Sequence, residues 1–269
     1  MYISIDVGGT KVLVAVFDDA GTLLKSNKFP TPIMYPDFIA QLKQTVRVLL
    51  GEEQPKRCAV ALPGVLDREN GIAIRFGNLP WEYVHIRDDL RDTITCEILL
   101  ENDAKLAGLA EAYELRALYH RVLYVTVSTG IGIGLTVDGK IDHSVNDAGG
   151  HAIMLEHGNR IESWESFASG KAIVAQTGKM ASEITDEKDW YLVARNIAIF
   201  LINLVDLLSP DCIVIGGGVG SHLPKYHEKL HEELELYRSP MLTSMPQILQ
   251  AKHPEEAVVY GGYLLCTET

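Results

Sequence analysis

The N-terminal segment constrains the fold most, because it predicts two strands joined by a tight glycine turn. Two apolar runs, Tyr2–Val7 and Lys11–Phe17, flank a Gly-Gly-Thr turn at residues 8–10. Gly-Gly turns are typical of β-hairpins, since glycine adopts the positive φ values that such turns need. Backbone N–H groups in the turn can face an anion, and Asp6 and Lys11 add a carboxylate and an amine. The segment is therefore either an ordinary hairpin or a site for the phosphates of a magnesium nucleotide.

Composition and charge narrow the class of protein. The chain has 269 residues, of which 47% are hydrophobic and 22% are charged, as is typical of one large or two modest globular domains. The net charge of −12 argues against non-specific binding to nucleic acids or anionic membranes, because both are negatively charged themselves. A local phosphate site is compatible with it. We therefore expect small-molecule ligands, and neither nucleic acid nor membrane as a partner.

The apolar segments and the cysteines predict a cytoplasmic protein. The longest apolar segment, residues 193–208, is interrupted by Arg195, Asn203 and Asp206, so no run reaches the length of a bilayer span. A strand that starts at residue 2 leaves no place for a signal peptide or an N-terminal DNA-binding helix-turn-helix. The 4 cysteines are far apart and form no Cys-x-x-Cys pair, which is typical of reduced thiols and disfavours a thiolate zinc site.

The pattern of strands and helices occurs twice along the chain. The N-terminal meander is followed by a predicted helix at 37–50 and buried strands at 58–62 and 97–101. The pattern starts again at 121–128 with a strand, a glycine turn and a second strand at 135–137. This echo predicts two related α/β units that face each other across a cleft. Further predicted elements are a third meander strand at 22–29, helices at 104–119, 188–208 and 255–265, and a strand at 212–215.

Three glycine-rich turns, each after a short apolar strand, suggest a nucleotide held from several sides. They lie at residues 6–11, 128–134 and 216–220. The chain has no Gly-x-x-x-x-Gly-Lys-Ser/Thr segment, which excludes a P-loop. A dinucleotide fingerprint needs Gly-x-Gly-x-x-Gly between a strand and a helix, whereas the glycines of the second turn are spaced by two and a strand follows. The spacing therefore disfavours a nucleotide-dependent oxidoreductase.

Motifs along nearly the whole chain resemble those of sugar kinases of the ROK family, in the actin/hexokinase/Hsp70 superfamily. Each motif is short, but they occur in the family's order and are highly specific together. They are DVGGTK at 6–11 and STGIGIG at 128–134, which resemble the two phosphate motifs; ALPGVLD at 61–67; NLPW at 78–81, the sugar-side loop; ENDA at 101–104 with Glu111 after it, the strand end that carries the catalytic base; WESFASG at 164–170; and IVIGGG at 213–218, the adenosine-side turn.

The resemblance implies a two-lobed, actin-like ATPase fold related to ribonuclease H, with mixed sheets flanked by helices and a cleft between the lobes. A small N-terminal α/β lobe would comprise residues 1–104 and be completed by a C-terminal helix within 254–269. A large α/β lobe would comprise residues 105–253. The lobes would close over the sugar and exclude water, so that the phosphoryl group goes to the sugar. The resemblance also suggests a homodimer.

The resemblance assigns catalysis to Asp103. This residue would be the general base that takes the proton from a sugar hydroxyl, whose oxygen then attacks the γ-phosphorus of ATP in line. Taken without the resemblance, Asn102-Asp103 predicts a helix N-cap, since both residue types are favoured there. The two interpretations are compatible. The acceptor would be the 6-hydroxyl of a hexose, either a glucose-like sugar or an N-acetylated amino sugar.

The resemblance also assigns the contacts with the ligands. Asp6 would orient Mg²⁺ through water, since hard cations are often held in that way. Asn and Glu side chains suit sugar hydroxyls because they donate or accept at fixed geometry. Taken singly, Lys11 could be an exposed turn lysine, and His151 and Glu165 could be structural. The substrate-binding residues would be Gly64, Asn78, Asn102, Asp103, His151 and Glu165; the residues that bind ATP would be Asp6, Gly8, Gly9, Thr10, Lys11, Thr129, Gly130, Gly132, Gly216 and Gly217.

Two departures from the family pattern bear on the substrate and on metal. Many members have a Glu shortly before the Gly-His pair that holds the anomeric hydroxyl, where this chain has Ala148 or Gly149, with Asp147 beside them. Many members also bind a structural zinc through that histidine and a cysteine-rich run, where this chain has His157 and no cysteine. Because His151 and His157 alone make a poor tetrahedral site, we expect no zinc.

Several functions are therefore weighed against one another. The first is an ATP- and Mg²⁺-dependent hexose kinase, which accounts for the base, the phosphate turns and the sugar-side loop. The second is a non-catalytic sugar- and nucleotide-binding sensor or regulator, which the missing Glu favours and the presence of Asp103 disfavours. A polyphosphate-using glucokinase is a further alternative, since family members without zinc include such enzymes. A chaperone-like ATPase is disfavoured because 269 residues leave no room for its additional domains.

Overall fold

A computed structural model of the protein describes residues 1–242, 244–253 and 256–268. The first part of the chain starts with the predicted meander and then alternates strands and helices. Its elements, in chain order, are β1 (Tyr2–Val7), β2 (Lys11–Phe17), β3 (Leu23–Pro30), α1 (Tyr35–Leu50), β4 (Arg57–Leu62), β5 (Gly64–Asp67), β6 (Ile72–Phe76), β7 (Glu82–Val84), α2 (Ile86–Leu90), β8 (Glu97–Asn102) and α3 (Asp103–Leu115).

The second part of the chain begins again with a strand and a glycine turn. Among its described residues, single turns of 3₁₀-helix lie at Gly149–His151, Ala181–Glu183 and Leu223–Lys225. The elements are β9 (Arg121–Val127), β10 (Ile131–Val137), β11 (Lys140–Ile141), β12 (Met154–His157), β13 (Arg160–Ser163), α4 (Trp164–Ala168), α5 (Gly170–Thr177), α6 (Glu187–Leu208), β14 (Cys212–Gly216), α7 (Gly217–Gly220), α8 (His227–Leu236), β15 (Gln247–Gln250) and α9 (Ala257–Thr267).

The two five-stranded sheets have the same strand order. The first runs β3-β2-β1-β4-β8, in which β2 is antiparallel to both β1 and β3, and β4 and β8 are parallel to β1. The second runs β11-β10-β9-β14-β15, with the same alternation of antiparallel and parallel pairs. The pattern that occurs twice in the sequence thus corresponds to one sheet topology built twice. Two smaller antiparallel sheets, β5-β6-β7 and β12-β13, were not predicted.

The described residues separate into two compact units. The first contains residues 1–110 and 256–268, and the second contains the described residues between 111 and 253. The predicted lobes, divided at residues 104 and 105, remain a prediction. The predicted C-terminal segment 254–269 and the predicted helix start at 255 include positions 254, 255 and 269, which lie outside the described residues. Within the described part, the last helix is α9.

In the first unit, the sheet has a helix on each face. Strand alternation places Ile3, Ile5 and Val7 on the face that packs against α1, in one core with buried residues of that helix. Pro36 in the first turn of α1 and Gly51 at its C-cap are typical residues at the start and the end of a helix. Ser4 lies on the other face, under α9, where a Cβ added at Gly262 would come within 2.1 Å of Ser4 Oγ. The position of Ser4 places Asp6 on the same face as α9.

In the second unit, α6 is the central helix of the core. It buries Trp190, Val193, Ile197 and Leu201, among others, against strands β9, β10 and β14. Of the described helices, α6 alone is long and apolar enough to cross a bilayer by length and composition. A core helix passes the same test, and half of its apolar window is buried inside the protein. The apolar composition of α6 is therefore explained by its packing in the core of this unit.

Candidate active site

Asp6 lies on a row of side chains that crosses the first sheet. It pairs in register with Leu13 of β2 and with Ala61 of β4, and Ala61 pairs in turn with Glu101 of β8. Leu13 pairs on its other side with Lys28 of β3. Directly paired residues point to the same face of a sheet. Two carboxylates and a lysine therefore lie along one row on the face that also carries α9.

The turn after β1 is held by a hydrogen bond within the hairpin and by two from Thr31. The Gly8 N–H donates to the Lys11 carbonyl at 2.9 Å, which closes the turn. Thr31 braces it, because its hydroxyl donates to the Gly8 carbonyl at 2.7 Å and its N–H donates to the Thr10 carbonyl at 3.1 Å. A Cβ added at Gly9 would lie 2.9 Å from the Cβ of Asn78. The predicted phosphate turn and the predicted sugar-side residue Asn78 are thus in close contact.

The carboxyl group of Asp6 has a shifted protonation equilibrium. Burial raises the pKa of Asp6 from 3.8 to about 7, and the nearby carboxylate of Asp103 raises it as well. Lys11 and Lys28 act in the opposite direction, because their positive charges favour the ionised carboxylate. The Asp6 carboxyl group therefore lies near a second carboxylate and two ammonium groups.

The end of β8 places the predicted base at the start of a helix. Asn102 is buried, and its Oδ1 accepts hydrogen bonds from the N–H groups of Ala104 at 3.0 Å and Lys105 at 3.3 Å. Its side-chain amide donates to the Gly64 carbonyl at 3.3 Å. Asp103 is the first residue of α3, is partly exposed and accepts from the Ala104 N–H at 2.8 Å. Asn102 therefore supplies the main cap of α3, and the Asp103 carboxylate stands beside it at the helix start.

Gly64 occupies a position that other residues would strain. Its φ is +136°, and a Cβ there would lie 2.0 Å from the Arg75 carbonyl oxygen. The glycine of the Pro-Gly pair is therefore required by the pairing of β5 with β6. The Gly64 carbonyl also accepts the hydrogen bond from the Asn102 side-chain amide. The predicted residues Gly64, Asn102 and Asp103 therefore lie together in the first unit.

A buried ion pair next to the base was not predicted from the sequence. Glu101 is 3% exposed and accepts both from Arg68 Nε, at 3.1 and 3.0 Å, and from Arg68 Nη2. Its carboxylate also accepts from the Asn102 N–H at 2.7 Å. Arg87 braces the turn that carries Arg68, donating to the carbonyls of Arg68 and Glu69 at 2.5 and 2.8 Å. Two arginines thus hold the strand end that leads into Asp103.

In the second unit, the predicted donor-side residues gather around the turn between β9 and β10. Gly130 lies at this turn, whereas Gly132 is inside β10, paired with Thr126. Gly217 packs on the end of β9, since a Cβ there would be 2.5 Å from the Val127 carbonyl, and a Cβ at Gly216 would be 2.2 Å from the Tyr124 hydroxyl. Thr129 is exposed at the tip of the turn. Close packing on β9 is thus a structural reason for the glycines at 216 and 217.

Glu165 and His151 adjoin the same turn. Glu165 Oε2 accepts a hydrogen bond from the Ile131 N–H at 2.8 Å, and its Oε1 lies 3.6 Å from His151 Nδ1. The carboxylate is in contact with Gly130, where a Cβ would come within 2.4 Å of Oε2. Glu165, predicted to bind sugar, is therefore in contact both with Gly130, predicted to bind phosphate, and with His151, the other predicted sugar residue. The sequence carries no signal for the bond from Ile131 to Glu165, which joins residues 34 positions apart.

The segment that carries the cysteine-rich run in many family members is a hairpin here. His157 at the end of β12 pairs with Glu162 of β13 at 2.8 Å and stacks on Phe167, with ring centroids 4.0 Å apart. Ser166 donates to the other oxygen of Glu162 at 3.0 Å. In the part of the chain that the structure describes, no three His, Cys, Asp or Glu side chains are grouped to hold a metal ion. The absence of zinc stays a prediction.

Comparison with known proteins identifies the family. The model of the ROK family matches residues 2–269, so this chain belongs to the ROK family. Its relatives include a glucokinase from Halalkalibacterium halodurans, 24% identical over 97% of this chain and 93% of that protein. Another is an N-acetyl-D-glucosamine kinase from Yersinia pseudotuberculosis, 26% identical over 98% of both chains.

Solved structures agree on the fold. A ROK family glucokinase from Streptomyces griseus, in complex with glucose and AMPPNP, superimposes with a TM-score of 0.81 over 98% of both chains, at 20% identity. At this identity the likeness concerns the fold alone. The predicted actin-like ATPase fold of mixed sheets and helices is therefore confirmed, and so is the resemblance to the ROK family.

Proposed function

We propose that this protein is a sugar kinase that transfers the γ-phosphoryl group of ATP to the 6-hydroxyl of a hexose. The relatives named above are a glucokinase and an N-acetyl-D-glucosamine kinase, and one related structure holds glucose and the ATP analogue AMPPNP. The observation that carries the proposal is the cluster at the end of β1 and β8, where Asp6 and Asp103 interact beside a glycine turn and Lys11. The acceptor is a glucose-like or N-acetylated sugar.

Asp103 is the general base in this proposal. It stands at the start of α3, partly exposed, and its backbone position is fixed by the Asn102 cap and by the pair of Glu101 and Arg68. The carboxylate takes the proton of the sugar hydroxyl as the hydroxyl oxygen forms a bond to the γ-phosphorus. The bond between that phosphorus and the bridging oxygen breaks, and ADP leaves. Phosphoryl transfer depends chiefly on such positioning and on charge stabilisation.

The donor-side residues supply cationic charge and backbone donors. Lys11 and Thr10 face the phosphate oxygens in this proposal, with Gly8 closing their turn, and the N–H groups of Gly9, Thr129 and Gly130 donate to phosphate oxygens. Gly132 supports that turn from β10, and Gly216 and Gly217 permit close approach of the adenosine. Mg²⁺ fits this set because the carboxylates of Asp6 and Asp103 are close enough to interact electrostatically. Asp6 would hold the ion through water. When bound, the ion neutralises charge on the donor phosphates.

In this proposal the sugar is held by hydrogen-bonding side chains. Asn78 and Asn102 offer amide groups, and His151 and Glu165 offer a ring nitrogen and a carboxylate. The Gly64 carbonyl accepts a hydrogen bond from the Asn102 amide and so orients it. Ala148 or Gly149 stands where many family members have the Glu that binds the anomeric hydroxyl, so recognition of that position relies on Glu165, His151 and the shorter Asp147. Sugars that differ at the anomeric carbon are therefore expected to be tolerated.

The test of this proposal is an ADP-release assay with Mg-ATP against a panel of hexoses and N-acetylhexosamines, with sugar phosphate identified by mass. A parallel series replaces ATP with inorganic polyphosphate. Turnover of one sugar with ATP supports the proposal and names the acceptor. Turnover with polyphosphate alone would change the donor, and no turnover with nucleotide binding intact would favour the non-catalytic sensor.

We further propose that the enzyme works in the cytoplasm and as a homodimer. All four cysteines are free thiols in the structure, three of them buried, which supports a reducing compartment. The homodimer rests on the family resemblance. Light scattering coupled to size-exclusion chromatography measures the mass of the particle, and a mass near 29.7 kDa would mean a monomer.

Replacement of Asp6 by Asn tests the cation site through stability. The folded-state pKa of Asp6, about 7, exceeds its ordinary value of 3.8, so the folded state binds more protons than the unfolded state between these values. Stability of the ligand-free enzyme therefore falls as pH rises through this range, and the loss is complete at pH 8. We expect the Asp6→Asn variant to unfold at or above the wild-type temperature at pH 8.

Ligand stabilisation is the second measurement on the same variant. Mg-ATP should raise the unfolding temperature of the wild type more than that of Asp6→Asn, because the variant lacks the carboxylate that holds the cation. The comparison is made at pH 5 and pH 8, with and without Mg-ATP. If the unfolding temperature of Asp6→Asn at pH 8 without ligand were well below that of the wild type, it would contradict the statement that the ionised Asp6 carboxylate destabilises the folded state.

A further inference from the structure

We propose that the Glu165 carboxylate couples the sugar site to the donor site, so that each substrate strengthens binding of the other. The inference rests on the proposed function, because it takes the turn at 129–131 as the donor side and His151 as the sugar side. Glu165 is the group common to both: Oε2 accepts from the Ile131 N–H at 2.8 Å, and Oε1 lies 3.6 Å from His151 Nδ1.

The carboxylate is the adjustable part of this arrangement. The backbone of Glu165 is fixed, since Ser163 caps α4 and the Trp164 N–H donates to the Ile153 carbonyl at 2.8 Å. The side chain is 30% exposed, and its neighbour His151 is 80% exposed. An exposed histidine and a partly exposed carboxylate oxygen are open to a ligand hydroxyl. The other oxygen is committed to Ile131.

The turn is packed so tightly that a movement of the carboxylate reaches the backbone. A Cβ at Gly130 would lie 2.4 Å from Glu165 Oε2, so the two are already in contact. On the other side of Ile131, a Cβ at Gly149 would lie 2.4 Å from the Ile131 carbonyl and one at Gly150 would lie 2.8 Å from the Ile131 Cβ. Interiors packed to this density transmit displacement instead of absorbing it.

Coupling follows from these contacts. A sugar hydroxyl that donates to Oε1 fixes the orientation of the carboxylate and with it the hydrogen bond from Ile131. The N–H groups of Thr129 and Gly130 are then held in place before the phosphates arrive, so donor binding orders less of the chain. Linkage makes the effect reciprocal, and donor binding strengthens sugar binding by the same factor. Loss of one charge-assisted hydrogen bond corresponds to a factor of roughly ten in this coupling.

Two variants perturb the link in different ways. Glu165→Gln keeps the size of the side chain and removes its charge. Gly130→Ala leaves the carboxylate intact and displaces it by contact. Glu156→Gln is the matched control, because Glu156 is an exposed residue on β12 and the same charge is removed. All three proteins are checked for folding by circular dichroism before use.

The experiment is calorimetric titration of the non-hydrolysable ATP analogue AMPPNP with Mg²⁺, with and without the sugar identified in the panel assay. In the wild type and in Glu156→Gln, we expect saturating sugar to tighten AMPPNP binding about tenfold. In Glu165→Gln and Gly130→Ala, the factor should fall below about two. Steady-state kinetics repeat the comparison as the dependence of the sugar KM on donor concentration.

The outcomes separate this inference from the proposed function. Turnover by the wild type with equal coupling in all four proteins would overturn the inference and leave the kinase intact. A change of sugar affinity alone in Glu165→Gln, with the coupling factor unchanged, would also overturn it. Absence of turnover on every sugar would instead contradict the proposed function.

Discussion

Replacement of Asp103 by Asn should lower kcat for sugar phosphorylation by about 10²–10⁴-fold, the usual contribution of a positioned general base. The substitution keeps the size of the side chain and removes its ability to accept the hydroxyl proton. Asn is also a favoured residue at helix starts, so α3 should keep its first turn. Because the loss falls on the chemical step, the affinity for ATP should stay within about threefold of the wild type.

The control for this prediction is Asp186→Asn. Asp186 also stands at the start of a helix, where its Oδ1 accepts from the Lys188 N–H at 2.9 Å as the N-cap of α6. Its replacement makes the same chemical change at a helix start outside the proposed site, and kcat should not change. The measurements are kcat and KM for both substrates, with nucleotide affinity by titration. Full turnover by Asp103→Asn would remove this residue as the base.

The sequence predicted those parts of the fold whose signals are local. β1 and β2 are short apolar runs on either side of a glycine turn, and α1 begins near a proline and ends at a glycine. The predicted start of α3 at 104 is within one residue of Asp103, since Asn102 is a strong cap. The repeated glycine turn predicted that the α/β pattern occurs twice, and both sheets have the same strand order.

The start of β10 was misplaced because glycine is unfavourable in strands. The prediction extended the turn to residue 134, whereas the strand begins at Ile131 and contains Gly132 and Gly134. Close approach of another segment explains one of them: a Cβ at Gly149 would lie 3.2 Å from the Gly132 Cα, so this part of β10 packs against the 3₁₀ turn at 149–151. Local propensity carries no information on such a contact, which only tertiary packing creates.

Contacts between distant segments were also invisible in the sequence. Arg68 lies in a short turn and reaches Glu101, 33 positions away, and nothing in its neighbourhood marks it as the partner of a buried carboxylate. Glu111 is buried and accepts from the N–H groups of Lys252 and His253, at 2.9 to 3.0 Å, more than 140 positions away. A glutamate near the end of a helix usually points to solvent. The candidate site was therefore predicted as a set of residues, whereas the ion pair of Arg68 with Glu101 and the hydrogen bonds to Glu111 were not predicted.

Replacement of Gly261 by Ala should destabilise the protein, although it favours the helix. Alanine is better than glycine inside a helix by about 1 kcal/mol, which alone would stabilise α9. At this position, however, a Cβ would lie 1.9 Å from the carbonyl oxygen of Leu106 and 2.6 Å from its carbonyl carbon. Both are backbone atoms of α3, so no side chain can rotate away and the two helices must separate.

The net effect is set by the cost of that separation. Overpacking in a well-packed core costs typically about 1–3 kcal/mol and more where backbone must move, so we expect a net loss of about 2 kcal/mol in the free energy of unfolding. Urea unfolding measures it, and Gly77→Ala is the control, because a Cβ there meets no atom within 4 Å. Since α3 begins at Asp103, a shift of this helix should also lower kcat. An unchanged unfolding midpoint would mean that α3 and α9 are farther apart than the structure has them.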